Sequence, residues 1–204
     1  MIDHRVYLVT DEPSRYRGNW LDSVRAAVDG GVTCVQYRDT ENAPRTQYER
    51  LRALRDAIGK TPLIVNNDAE LAVAVNAEGV HVGQSDMPPE QVRAIVGPRC
   101  EIGLSITRLA DLRALTPCAD LIGVGPVFDA RKTKPDAARE LGTDGLAAIV
   151  AAAPAVPNVA IGGITLERAP AVLAAGAQGL AVVSALSQAP DPHRAAQAFA
   201  KLFD

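Results

Sequence analysis

Eight short apolar runs alternate with eight stretches of helical periodicity along 204 residues, and this alternation constrains the fold more tightly than any other feature. The apolar runs cover residues 5–10, 33–38, 62–66, 79–83, 101–105, 121–125, 158–162 and 179–184. Each is bounded by Gly, Pro, Asp, Asn or Ser, residues that punctuate strands. The helical patterns cover residues 21–29, 46–58, 69–76, 89–96, 109–115, 143–152, 166–175 and 192–203. Pro88 and Pro89 stand at the start of the fourth, and Gly97 and Gly176 stand just past two helix ends, where these residue types are favoured. Strict strand–helix alternation implies a parallel sheet. Eight units imply closure, so the expected architecture is α/β, a single (β/α)8 TIM barrel spanning 1–204 as one domain.

Composition supports this and narrows the function. Hydrophobic residues make up 48% of the chain and aromatics only 4%, so Ala, Val, Leu and Ile must fill the core, as in buried parallel sheets. A net charge of −3 argues against a nucleic-acid surface. No window reaches the roughly 18 apolar residues of a membrane span, and the start of the chain lacks the charged and apolar regions of a signal peptide. Cys34, Cys100 and Cys118 are odd in number and widely spaced, which reads as buried thiols rather than a disulfide framework or a metal motif. A cytoplasmic protein acting on small molecules is expected, without nucleic-acid or membrane partners and with a homo-oligomer possible.

Chemistry in such barrels sits at the C-terminal ends of the strands. Two ends there are glycine- or serine-rich: Ala160-Ile-Gly-Gly-Ile164, and Gly179-Leu-Ala-Val-Val-Ser184. Glycines let backbone N–H groups approach a ligand, and loops after strands seven and eight are the phosphate site of many barrels. A phosphorylated ligand is therefore expected at Gly163 and Ser184, and a side chain added at Gly163 should intrude where the phosphate approaches. The other ends supply Gln36 and Arg38, which share one face of their strand, then Asn66-Asn67-Asp68, Asp86 and Ser105. A long aperiodic stretch, 127–141, adds Arg131, Lys132, Thr133 and Lys134, and a loop of that length is often functional. Cations with hard oxygen donors suit a diphosphate and Mg²⁺. No Ser–His–Asp set is present. His81 is open between a structural and a ligand role, Trp20 reads as helix packing, and His4 and His193 read as surface residues.

Taken together, Val35-Gln-Tyr-Arg38, Val65-Asn-Asn67, Gly79-Val-His-Val-Gly-Gln-Ser-Asp86, Ile102-Gly-Leu-Ser105, Ile122-Gly-Val-Gly-Pro-Val-Phe128, Thr133-Lys134 and Ala160-Ile-Gly-Gly-Ile164 resemble the thiamin-phosphate synthase family. The likeness runs from Tyr7 to Pro192, and the Gly79–Asp86 stretch is its most specific part. The resemblance implies a transferase (EC 2.5.1.3) that joins 4-amino-2-methyl-5-hydroxymethylpyrimidine diphosphate to a thiazole phosphate and releases pyrophosphate through a dissociative, Mg²⁺-assisted displacement. It implies that Gln36, Arg38 and Asn66 bind the pyrimidine diphosphate, Ser105 the pyrimidine and Lys134 the diphosphate. Arg38, Ser105 and Lys134 then carry the catalysis. It also implies that Thr133, Gly163, Val183 and Ser184 hold the thiazole phosphate, and that Asn67 and Asp86 are the Mg²⁺ positions.

Three departures stand out. Thr40 replaces a lysine of the family pattern, Asn67 replaces a metal-binding Asp and is followed by Asp68 where Arg is common, and the loop 128–134 is longer. Thr40 therefore belongs to the substrate-binding set as a weakened position, and Arg131 and Lys132 join it as replacement cations. The departures leave two alternatives: a thiazole tautomerase-like isomerase, and a non-catalytic phosphate-binding barrel. The first uses a His where this chain has Thr107. Retained Arg38, Asp86 and Lys134 oppose the second.

Overall fold

The computed structural model describes residues 2–131 and 138–204. Eight strands are present among them: β1 (Val6–Val9), β2 (Cys34–Tyr37), β3 (Leu63–Asn66), β4 (Gly79–Val82), β5 (Glu101–Ile106), β6 (Leu121–Val124), β7 (Asn158–Ile161) and β8 (Leu180–Val182). They pair in parallel in sequence order, and β8 returns to β1 through Leu8 opposite Val182, so the barrel closes. Every expected strand is found, all within their expected ranges except β5, which runs one residue further to Ile106.

Period two along each strand divides the core in two. Val6, Leu8, Val35, Leu63, Val65, Val80, Val82, Ile102 and Leu104 point outward and are buried under the helices. Tyr7, Val9, Cys34, Ile64, Leu121, Val159 and Ala181 point inward and pack across the barrel axis. Burying one such Leu or Ile side chain contributes about 2 kcal/mol.

The helices are α1 (Trp20–Asp29), α2 (Pro44–Ile58), α3 (Ala69–Ala74), α4 (Pro89–Val96), α5 (Gly142–Ala152), α6 (Ala169–Ala174), α7 (Ser184–Ser187) and α8 (Pro192–Ala200). Local chemistry starts several of them. Asn19 accepts from Leu21 and Asp22 N–H at 2.9 and 3.2 Å, and Asp191 accepts from Arg194 N–H at 3.0 Å. Asp68 caps α3, accepting from Leu71 N–H at 2.8 Å, so this departure from the family pattern has a local structural use. Trp20 packs against the core.

Four expectations are corrected. The fifth helical segment is a 3-10 helix, Leu109–Ala114, not an α-helix. Asp111 draws its first turn back by accepting from Thr107 and Arg108 N–H, and Pro117 prevents extension, so only a short i→i+3 turn fits. The last strand stops at Val182, and Ser184 opens the short helix α7 instead of ending the strand. His4 is not a surface residue: its ring lies beneath Tyr7, with Nε2 2.7 Å from Glu101 Oε1, at the N-terminal mouth of the barrel. Of the three free thiols only Cys34 is fully buried; Cys100 and Cys118 are half-buried. His193 is exposed, as expected.

Among the described residues, no helix is long and apolar enough to cross a membrane.

Candidate active site

The C-terminal ends of the strands open onto a cavity of about 900 Å³. Its floor is Tyr7, Gln36, His81, Ser105 and Gly123; its walls include Arg38, Asn66, Phe128, Gly162, Gly163, Val183 and Ser184. Seven of the residues singled out from sequence thus meet here: Gln36, Arg38, Asn66, Ser105, Gly163, Val183 and Ser184.

On one side, Arg38 reaches the cavity half-buried, and its guanidinium makes no hydrogen bond or ion pair among the described residues. Its backbone N–H is tied to Thr10 Oγ1 at 3.0 Å. The turn that follows is held by Asp39, whose buried carboxylate accepts from Tyr37 O–H at 2.8 Å and Asn42 Nδ2 at 3.0 Å. It also accepts from the N–H groups of Glu41 and Asn42 and pairs with Arg50 at 2.9 Å. Burial alone would raise the Asp39 pKa, but these hydrogen bonds outweigh it and hold it at about 2. The folded value lies below the unfolded one, so the charge stabilises the fold above the unfolded pKa. That stabilisation is lost as pH falls from about 4 through about 2. Asp39→Asn should therefore lower stability by about 2 kcal/mol at pH 7. The gap to wild type should narrow between about pH 4 and pH 2 in urea melts taken across that range. A gap independent of pH would mean that the ionised carboxylate is not what stabilises the turn.

Across the cavity floor, His81 Nε2 lies 3.0 Å from Ser105 Oγ. The imidazole fits because its neighbours on β5 and β6 are glycines: a Cβ on Gly123 would come within 2.7 Å of the ring. His81 is thus an interior residue whose ring lines the cavity.

On the far side, Gly162 and Gly163 have φ of 105° and 62°, a conformation glycine adopts at little cost. Phe128 N–H donates to Gly162 O at 3.0 Å and Val127 N–H to Ile161 O at 2.8 Å, which zips the β6 loop onto this turn. A Cβ on Gly163 would lie 2.8 Å from both Asp129 O and Phe128 Cβ. The Cβ face of Gly163 therefore borders the β6 loop. Arg168 secures the same junction. It stacks over the Phe128 ring at 4.7 Å and donates to Gly163 O at 2.9 Å.

The remaining residues lie elsewhere. Thr40 and Asn67 are exposed and Asp86 is half-buried; none of the three lines the cavity. Asn67 has φ 66° and donates its N–H to His81 O, which keeps it beside β4. Asp86 Oδ2 accepts from Gly83 N–H at 2.6 Å. Arg131 is exposed and pairs with Asp129 at 2.8 Å. Lys132, Thr133 and Lys134 lie outside the described residues. Among the described residues there is no cluster of three or more His, Cys, Asp or Glu side chains that could hold a metal. Sequence reasoning missed Tyr7, Phe128 and Arg168 as site residues. Tyr7 sits in an apolar run, and Arg168 in a helical pattern, so neither carried a local signal.

A family model described as thiamine monophosphate synthase matches residues 6–186. The chain belongs to this family. It is 46% identical over 199 residues to the thiamine-phosphate synthase of Azorhizobium caulinodans, covering 96% of this chain and 92% of that protein. It is 44% identical to that of Chloroflexus aurantiacus, covering 97% and 91%. Thiamine phosphate pyrophosphorylase from Pyrococcus furiosus superposes with a TM-score of 0.86 at 33% identity, covering 98% of this chain and 95% of that one. Thiamine-phosphate synthase activity comes with the family, so the chain is a transferase of thiamine biosynthesis on a TIM barrel.

Proposed function

We propose that the enzyme couples 4-amino-2-methyl-5-hydroxymethylpyrimidine diphosphate to a thiazole phosphate. The observation that carries this reading is one cavity of about 900 Å³ with two different polar sides, room for two small ligands to meet. One side offers Gln36, Arg38 and Asn66; the other offers the Gly162-Gly163 turn and Ser184.

In the proposed reaction, the bond between the pyrimidine methylene carbon and the diphosphate oxygen breaks, and its electron pair leaves with pyrophosphate. The thiazole nitrogen lone pair then forms the new C–N bond. Such a step needs no protein nucleophile. It needs charge placed in advance where the leaving group becomes more negative. Arg38 meets that need: a guanidinium with no partner among the described residues, beside a cavity, can form paired hydrogen bonds to phosphate oxygens. Ser105, held by His81, would orient the pyrimidine over the floor. Gly163 and Ser184 would hold the thiazole phosphate, and Thr133 and Lys134 would act from the β6 loop. Arg131 and Lys132 would supply the charge that Thr40 lacks.

Asn67 and Asp86 fit a Mg²⁺ ion in donor chemistry. They supply an amide and a carboxylate, both hard oxygen donors, from the turns after the adjacent strands β3 and β4. Gly83 N–H engages one carboxylate oxygen of Asp86, and the other has no partner among the described residues. A Mg²⁺ ion held there would neutralise charge on the departing diphosphate.

Incubating the protein with both substrates and Mg²⁺ should give thiamin phosphate and pyrophosphate in equal amounts. Isomerised thiazole phosphate without coupling, or binding without turnover, would overturn the reading. The position at which a tautomerase-like enzyme would carry its His holds Thr107, whose hydroxyl is engaged by Asp111 at 2.6 Å.

A further inference from the structure

We propose that Tyr7 is a positioning and specificity residue: by accepting an N–H of Gln36 it turns the Gln36 carbonyl to the cavity and sets its own O–H beside it, so that the pair selects a 4-aminopyrimidine. The inference deepens the pyrimidine-diphosphate reading above and rests on it.

Tyr7 is 1% exposed and Gln36 5%, yet both line the cavity floor. Gln36 Nε2 donates to the Tyr7 phenol oxygen at 2.7 Å. With that nitrogen committed to Tyr7, the amide oxygen is directed away from the phenol. Gln36 Oε1 accepts no hydrogen bond among the described residues, and the Tyr7 hydroxyl proton has no acceptor among them either. Two adjacent polar groups are thus left for a ligand, one acceptor and one donor. Leaving such groups unpaired in a buried site is costly, so a ligand that completes both is favoured. Burial pushes the Tyr7 pKa well up, which keeps the phenol protonated and the donor in place. His4 lies under the ring, with 5.7 Å between ring centroids, so the floor is backed by a second ring.

An acceptor beside a donor reads a ring nitrogen next to an exocyclic amine, the edge of a 4-aminopyrimidine. The 4-oxo analogue carries N–H and C=O in those places, wrong at both. A site built on hydrogen-bond signs rejects such an analogue far more strongly than a shape-only pocket does.

The test compares kcat/KM for the 4-amino and 4-oxo pyrimidine diphosphates at saturating thiazole phosphate. Wild type should prefer the amino compound. Tyr7→Phe frees the Gln36 amide to rotate, so the preference should fall by about tenfold or more, the value of one lost hydrogen bond. The KM for thiazole phosphate should stay within about twofold, because that ligand is read on the opposite side. Gln36→Leu should lower the preference similarly, and the double variant should lose little more than either single change. An unchanged preference in Tyr7→Phe overturns the inference. If Tyr7→Phe does not fold, an unchanged preference in Gln36→Leu does the same. Calorimetric binding of the free 4-amino and 4-oxo pyrimidine alcohols to wild type and the variants tests the inference without turnover. A wild type that separates these alcohols but forms no thiamin phosphate would sink the proposed reaction and leave the specificity argument standing.

Discussion

Asp86→Ala is expected to lower kcat/KM by about a hundredfold or more, the loss typical when a group stabilising the transition-state charge is removed. The same change should cost only about 1 kcal/mol of stability, because one hydrogen bond, to Gly83 N–H, is all that the side chain makes among the described residues. The separation between the two effects is the content of the prediction. A carboxylate that served only the turn after β4 would show both effects small. One that held the barrel together would show both large. Raising Mg²⁺ should recover part of the lost activity, since Asn67 and the diphosphate oxygens still offer donors. Thermal melts and a Mg²⁺ titration of the initial rate measure the two sides. Near-normal turnover at low Mg²⁺ would remove Asp86 from the proposed metal position.

The barrel was legible because a parallel strand buried on both faces is an apolar run with sharp ends, and β2 at Cys34–Tyr37 or β6 at Leu121–Val124 reads so without ambiguity. The ends of elements were less legible. Ser184 continues an apolar run, and only the backbone turn at Val183 makes it the start of α7. Leu109–Ala114 has helical periodicity, but its hydrogen bonds are those of a 3-10 turn set by Asp111. At the site, residues at strand ends were legible because each declares itself by being polar after an apolar run: Gln36, Arg38, Asn66 and Ser105 all line the cavity. What could not be read was pairing between strands. The hydrogen bond of Gln36 on β2 to Tyr7 on β1 depends on barrel curvature, which no one-dimensional pattern carries. The stacking of Arg168 on Phe128 joins residues 40 positions apart in the numbering, brought together only by the zipped β6 and β7 loops.

His81 gives the sharpest case of such hidden pairing, and it leads to a second large effect. Gly103 faces the barrel interior opposite His81 in the β4–β5 register. A Cβ there would lie within 2.3 Å of the imidazole, closer than any real contact. The ring is packed between the Gly103 and Gly123 backbones, so making room for a Cβ would shift it relative to Ser105. Gly103→Ala should therefore destabilise the fold by about 3 kcal/mol through overpacking. It should also break the 3.0 Å contact between His81 and Ser105, with a loss of kcat/KM greater than the fraction unfolded explains. Gly18→Ala is the matching control, since a Cβ there meets nothing within 4 Å and stability should be unchanged. The decisive variant combines Gly103→Ala with His81→Ala. Removing the ring relieves the clash, so the double variant should melt above Gly103→Ala alone, a non-additivity expected only of residues in contact. Activity should stay low, because Ser105 has then lost the group that orients it. If the double variant melts no higher than Gly103→Ala, the glycine is not there to house the imidazole. If it regains activity along with stability, His81 fills space on the floor of the cavity and does not orient Ser105.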